Sequence, residues 1–562
     1  MTRRKLDNNI LTGHRVAMIV TLCLFGLCML QALTPARRRT PKPDDRVYLV
    51  HADELYYDMY GDNPDAQIVK GSVHFMHQGA NLWCDSAFYY EATGTVKAFG
   101  HVRFKQGDTL SLTCNRAYYD GVQQIMDARE NVVLTHRRQT LYTDSLSYDR
   151  LYKNAYFFEG GTLIDGKDRL TSDWGEYNTG TRVAVFYYDV RLTNGERDIT
   201  TDTLYYDTRT SIAHLVGPSR IVSKTSTIDT YDGYFNTKSD KAELYGRSKV
   251  VDKQKTIIGD SLFHNDKTGI NEGYGNVVYV DTENQNELLG DYLIYNEQTG
   301  EGYATQNALV KDYSQGDTLY VHADSLKLYT FNINTDSVYR KVHCFNHVSA
   351  YRTDVQAICD SLVINSLDSC MTMYKDPIVW NDRRQLLGEV IKIYMNDSTV
   401  RMAHIIGQAL SVEKVDEDDH YNQVSSKEMM AFFNEGVLRE VVSMGNVQVV
   451  YFPIDDKDTT MIGLNYTETD TMRMYLTDKR KLEKIWMPKA KGTLYPMTQI
   501  PPGKTKLSQF AWFEEIRPMD KDDIFVWHGK GEENMLKVVE RHAPPLQTLT
   551  PLEDEKEEEE TE

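Results

Sequence analysis

The chain has 562 residues and a formal net charge of −19, too long for one ordinary core and too acidic for a nucleic-acid binder. Its 37 tyrosines and 18 phenylalanines, with many Thr and Val, favour strands. Eight of the acids sit in the last ten residues, Glu553 to Glu562.

Residues 1–36 read as a targeting segment. Arg3, Arg4, Lys5 and Arg15 precede an uncharged apolar run from Val16 to about Leu33. That run is long for a signal-peptide core of roughly 7–15 residues and slightly short of the roughly 20 that span a bilayer comfortably. A cleaved signal and a retained inner-membrane tether through residues 16–33 are the two alternatives. Either one exports the rest of the chain. Residues 37–48 follow as a basic, Pro-containing linker.

A repeat array then occupies residues 49–250 and 251–495, about thirteen two-strand units of about 30 residues each. The first half of a unit is typified by Leu141-Tyr-Thr-Asp-Ser-Leu-Ser-Tyr-Asp149. Its Asp slot holds Asp53, Asp85, Asn115, Asp144, Asp173, Asp202, a shifted copy near Asp229, then Asp260, Asp291, Asp324, Asp360 and Glu389. The second half starts at a Gly slot and alternates, as in Val96-x-Ala98-x-Gly100-x-Val102-x-Phe104. Period two with one apolar face marks a half-buried strand. Neither strand buries that face alone, but stacked copies do.

The Asp column reads as a turn or corner device accepting backbone N–H groups, in preference to a cation ladder, whose stacked carboxylates would repel. One difficulty attends this reading: Asp144 shares parity with Leu146 and Tyr148, so a flat strand would point it inward. Cys84, Cys114 and Cys359 fill a small-residue slot just before the Asp. Cys84 and Cys114 would lie on adjacent rungs, within disulfide reach if their Cβ vectors allow. No CxxC, HExxH, phosphate loop or nucleophile elbow is present, so no catalytic residue, metal site or cofactor is expected. The run Asp416 to His420 reads as a solvated loop. Recurrent tyrosines, as at Tyr89-Tyr90, Tyr118-Tyr119 and Tyr205-Tyr206, read as strand-end packing. No periodicity assigns residues 496–541 a fold, and the acidic tail 542–562 is expected to be disordered.

The pattern Asp-Ser-Leu-x-Tyr followed by Ala-x-Gly-x-Val-x-Phe, repeated in register behind an export segment, resembles the OstA-like family of organic-solvent-tolerance and lipopolysaccharide-transport proteins. The nearest local matches are Val96 to Phe104 and Gly273 to Val280, within a resemblance covering about residues 49–451. It implies an all-β jellyroll, two antiparallel sheets in an open V, here with two or more fused modules. It implies a non-enzymatic, periplasmic bridge that holds lipid A acyl chains in an apolar lumen. Its partners would be lipopolysaccharide and other jellyroll proteins of the inner- and outer-membrane complexes, joined edge to edge. The lumen residues would be Val73, Phe75, Val102, Phe104, Val132, Leu134, Ile164, Ile221, Val250, Val277, Tyr279 and Val447. An ordinary dry core is the competing reading of the same positions, and an exported structural or adhesive β-repeat scaffold is the competing function. A carbohydrate-active β-helix ranks last, because the acids are spread evenly.

Overall fold

The computed structural model describes residues 46–529, apart from 266, 315, 334, 397–398, 456–459 and 480. The targeting segment 1–36, most of the linker 37–48 and the tail 542–562 lie outside the described residues. The chain divides into two compact units, the first ending at Ser211 and the second beginning at Ile212.

In the first unit, β1 (Tyr48–His51) and β2 (Glu54–Tyr57) are short. Next come β3 (Gln67–His77), β4 (Ala80–Tyr90), β5 (Thr95–Gln106), β6 (Leu110–Asp120), β7 (Ile125–His136) and β8 (Gln139–Asp149). Each pairs antiparallel with the next. One period is cut into β9 (Asn154–Phe157), β10 (Gly161–Asp165), β11 (Asp168–Ser172) and β12 (Trp174–Asn178). The unit ends with β13 (Val183–Thr193) and β14 (Asp198–Asp207).

The second unit repeats the plan. It opens with β15 (Ile212–Val222), β16 (Ser226–Asn236), β17 (Lys241–Asp252), β18 (Lys255–Asn265), β19 (Ile270–Asp281) and β20 (Asn286–Asn296). A cut period holds β21 (Glu301–Thr305), β22 (Leu309–Asp312), β23 (Leu319–His322) and β24 (Ser325–Phe331). Then come the long β25 (Tyr339–Arg352) and β26 (Val355–Asn365). A second cut period holds β27 (Cys370–Tyr374), β28 (Ile378–Asn381), β29 (Arg384–Leu387) and β30 (Val390–Met395). The last long strands are β31 (Val400–Lys414), β32 (Tyr421–Asn434), β33 (Val437–Tyr451) and β34 (Gly463–Leu476). Both β35 (Leu482–Trp486) and β36 (Lys491–Pro496) pair with β34.

The long strands of the meander bend in the middle, where the Gly and Asp slots meet. Between β3 and β4 the register passes from Lys70↔Ser86 to Val73↔Cys84, so Gly71 and Ser72 face Asp85 alone. The same two-against-one bulge sets Gly100–His101 between Asp85 and Asn115, and Gly275–Asn276 between Asp260 and Asp291. The doubled residues are left-handed, with φ of +74° at Gly100 and +41° at His101. Glycine suits the first position for a second reason: a Cβ at Gly71, Gly100, Gly275 or Gly407 would run into the carboxyl group of Asp53, Asp85, Asp260 or Glu389. The halves before and after the bulge form two sheets that face each other. Rings touch across the gap, Phe75 with Tyr89 and Phe104 with Tyr148.

The bend settles the parity difficulty at Asp144. On β4 the inward set is Leu82 and Cys84 before the corner and Ala87 and Tyr89 after it, so parity flips at Asp85. Asp144 is likewise exposed on the convex side of its corner, between buried Leu141 and buried Leu146. Its carboxylate accepts the Asn131 backbone N–H at 3.2 Å, and Asp291 accepts that of Asn276 at 3.3 Å. Others accept side-chain donors from the facing bulge: His101 on Asp85, Asn276 on Asp260, His347 on Asp324 and Lys375 on Asp360. The slot expected near Asp229 belongs to Tyr231, which stands between buried Thr230 and the Gly246–Arg247 bulge.

The small-residue slot has a task beyond being small. In several copies it ties the corner with a hydrogen bond to the carbonyl two residues on. Ser172 Oγ donates to Trp174 O at 2.8 Å, Thr230 to Asp232 at 2.9 Å, Ser426 to Glu428 at 2.8 Å and Cys359 Sγ to Ser361 at 3.3 Å. The cysteines are a variant of this tie. Cys84 and Cys114 are free thiols and are not on adjacent rungs, because each period adds two strands to each sheet. Strand β5 lies between them, pairing with β4 and β6, which separates them by two strand spacings of about 4.8 Å each. That exceeds the reach of a disulfide. Burial pushes both thiols up to about 12, so they stay protonated and unreactive.

Candidate functional site

The space between the two sheets is the candidate site, and it differs between the units. In the first unit it is a sealed core. Val73, Phe75, Val102, Phe104, Val132 and Leu134 are all 0–2 % exposed. Toward the mouth of the V the sheets are joined by polar groups from their strand tips. The recurring inward tyrosines of one sheet, Tyr119, Tyr148, Tyr177 and Tyr206, meet residues from the tips of the other. Tyr119 bonds His77 Nδ1 at 2.6 Å and Tyr177 bonds His136 Nδ1 at 2.8 Å. The Tyr206 hydroxyl donates to Asp168 at 2.8 Å and to Asp165 at 3.2 Å. Arg150 bridges both sides, donating to the Tyr119 hydroxyl at 2.6 Å and the Gln78 carbonyl at 3.2 Å, with its guanidinium over the Phe104 ring. Arg138 pairs with Asp165 at 2.8 Å. A buried polar group is stable only when bonded, and these tips bond one another.

In the second unit the apolar filling is buried along the corner and half-open toward the mouth. Val277, Ala304, Ala308, Cys344, Val348, Cys359, Ile391 and Ile405 form a buried spine. Outward from it, Leu288, Val310, Leu319 and Leu386 on one sheet and Ile364, Met371, Ile393, Phe433 and Leu476 on the other are only half-buried. Where the first unit carries tyrosines at its strand tips, β26 and β30 carry Ile364 and Ile393, which have no hydroxyl to close the V, while β20 keeps Tyr295. The inner faces of this unit thus carry a half-buried apolar lining, the candidate groove.

Nine of the twelve expected lumen positions are buried inward-facing residues: Ile221, Val277 and Val447 join the six of the first unit. Val250 and Tyr279 face inward and are half-buried in the second unit. Ile164 does not face inward; Leu163 does, at 1 % exposure. Gly160 is the second residue of its bulge, not the first, and the pairing Leu163↔Leu141 carries the parity. No sequence pattern marks the difference between sealed core and groove, except the strand-tip tyrosines, which read as packing alone.

One outer face is also covered. Residues 497–526 lie as an extended strap along the outer face of the second unit. Phe513 and Ile516 bury Ile358, Ile378, Trp380, Leu387, Leu410 and Val412, while Leu507 packs with Val450, Phe452 and Leu464. Three glutamines, each four residues before a corner slot, hold it: Gln356, Gln385 and Gln423, at 3 %, 0 % and 1 % exposure. Gln385 donates to Ala511 O at 2.9 Å and accepts from Phe513 N at 2.9 Å. Gln423 does the same with Thr505 O and Leu507 N, both at 2.8 Å, and Gln356 accepts from Arg517 at 2.7 Å. In sequence the signal was a buried-type amide at one repeat slot beside outward Trp380, Leu387 and Leu410.

Asp416, Asp418 and His420 have ligand atoms within 4.8 Å of one another. His420 bonds Asp416 at 2.7 Å and the residue before it, Asp419, pairs with Lys506 of the strap at 2.5 Å. The loop serves the strap.

A model of the family described as OstA-like protein matches residues 44–202 and 189–260. The N-terminal array is similar to that family. The match covers the whole sealed unit and the first strands of the second. No curated protein matches the chain. Among solved structures, LptH from Pseudomonas aeruginosa, described as the LptA homologous periplasmic component of the lipopolysaccharide transport device, is similar at 12 % identity. The likeness covers 25 % of this chain and 95 % of that one, with a TM-score of 0.19, too low to bear on arrangement. The doubled Gly slot against a single acidic slot recurs beyond residue 260, at Gly275 against Asp260 and Gly407 against Glu389.

Proposed function

We propose that this chain is a non-enzymatic, periplasmic lipid-binding bridge in lipopolysaccharide transport to the outer membrane, with acyl chains lying in the groove of the second unit. The observation that carries this reading is the row of half-buried apolar residues on its inner faces, Leu288, Val310, Ile364, Ile393 and Phe433 among them. Each methylene moved from water onto such a surface gains about 0.8 kcal/mol, so a groove of this kind takes acyl chains without directional chemistry. The OstA-like match agrees with this cargo. The sealed unit acts as dry scaffold, the part of the alternative reading that its polar closure favours. Among the described residues no helix is long and apolar enough to cross a membrane, so a tether would be residues 16–33.

Edge-to-edge partners fit the two edges left open among the described residues. Strands β1 and β2 pair with β3 and carry exposed Tyr48, Val50, Leu55, Tyr56 and Tyr57. Strands β35 and β36 carry exposed Leu482, Ile485, Trp486 and Leu494. Free edges of this kind add strands from another sheet.

Site-specific photocrosslinking in cells tests the reading. Probes at Ile364, Ile393 and Phe433 are expected to give lipopolysaccharide adducts, while probes at Phe104 in the sealed core and Arg103 on the outer face stay clean. Clean protein at all five positions would leave a dry scaffold and overturn the transport reading.

A further inference from the structure

Strand β25 carries an arginine at each rim of the groove. Its inward set runs Arg340, Val342 and Cys344 before the corner and Val348, Ala350 and Arg352 after it, following the register to β24 and β26. An apolar floor is thus bracketed by two arginines. They differ in one respect. Arg352 is neutralised by Asp354, with contacts of 2.6 and 3.1 Å. Arg340 is exposed and has no ion pair among the described residues, and its charge acts on the hydroxyls of Tyr279 and Tyr295 on neighbouring inner faces.

The rim on the Arg352 side is mixed in charge, with Lys255 of β18 between two of its acids. Asp252, Asp281 and Asp312 end the inward sets of β17, β19 and β22. Asp281 and Asp312 are fixed there as turn caps, accepting backbone N–H groups at 3.1 and 2.9 Å. Arg340 stands on the opposite sheet, beside Thr330, and its un-neutralised guanidinium looks across the mouth toward Tyr279, where it is open to an anion. Guanidinium suits phosphate in particular, because it offers paired N–H donors in one plane.

Resting on the groove reading, we infer that Arg340 is a specificity residue that seats the phosphorylated head of an acylated lipid at the mouth of the groove beside Tyr279 and Tyr295, acyl chains passing inward over Val342 and Ala350. The head stays at the rim, where water completes its solvation, and only the chains enter.

The experiment uses the full-length protein and two probes, a phosphorylated multi-acyl glycolipid and its enzymatically dephosphorylated counterpart, with photocrosslinking at Ile364 as the readout. Wild type is expected to prefer the phosphorylated probe about tenfold, the scale of one charge-assisted contact at a half-exposed site. Arg340→Glu should abolish that preference while keeping the dephosphorylated probe, and Arg340→Lys should keep part of it. Arg340 is exposed, so these variants disturb no packing. An unchanged preference in Arg340→Glu would overturn the assignment of Arg340 and leave the groove reading standing. Failure of wild type to take either probe would overturn the groove reading, and this inference with it.

Discussion

At the scale of single residues, the corner explains what a one-dimensional pattern made awkward. A strand of period two cannot place Asp144 outside and Leu146 inside, yet both positions hold because the doubled bulge opposite Asp144 turns the chain there. At the bulge facing Asp85 the first residue is a glycine, Gly100, constrained twice, by left-handed φ and by the Asp85 carboxylate. Gly100→Ala is therefore expected to cost at least about 1–2 kcal/mol from backbone conformation alone, plus displacement of Asp85. A urea midpoint lowered at constant slope would show it; an unchanged midpoint would mean the corner relaxes freely. The inward positions were legible from alternation, which is why eleven of the twelve expected residues face the interior. Ile164 was missed because two successive glycines, Gly160 and Gly161, leave the bulge register open by one.

At the scale of elements, the strap and the strand-tip closure were not legible, and for a common physical reason. Both depend on contacts between residues far apart in sequence, such as Gln385 with Phe513, or His136 with Tyr177. Removing the Gln385 amide leaves Ala511 O and Phe513 N unpaired against buried surface, so Gln385→Ala should cost about 1–3 kcal/mol. Hydrogen exchange over residues 505–517 should speed up while exchange in β3–β8 stays as it was. Unaltered strap exchange would mean that Phe513 and Ile516 hold it alone. The closure of the first unit predicts a pH response. Burial, helped by Arg137 and Arg182, holds the His136 imidazole below its ordinary value of 6.5. The unfolded chain then binds the proton more readily than the folded one as pH falls below about 6.5, so stability is lost on acidification. Denaturation midpoints taken at about pH 7.5 and about pH 5.5 should fall more for wild type than for His136→Gln. Equal slopes would assign the acid sensitivity elsewhere.

At the scale of the molecule, the repeat was visible in the sequence, and with it the fold class, because each period carries its own Asp, Gly and alternation signals. The division of labour between the two units was not, because sealed and open interiors use the same inward Val, Leu and Phe and differ only in what caps them. Contacts within each meander run mainly between neighbouring strands, as in other repeat architectures. A period of about 29 residues begins and ends at equivalent corners and contributes two strands to each sheet. Length along the groove is thus countable, like the links of a chain. A cargo's footprint can be matched by gaining or losing whole periods, without redesigning the cross-section that any one of them presents.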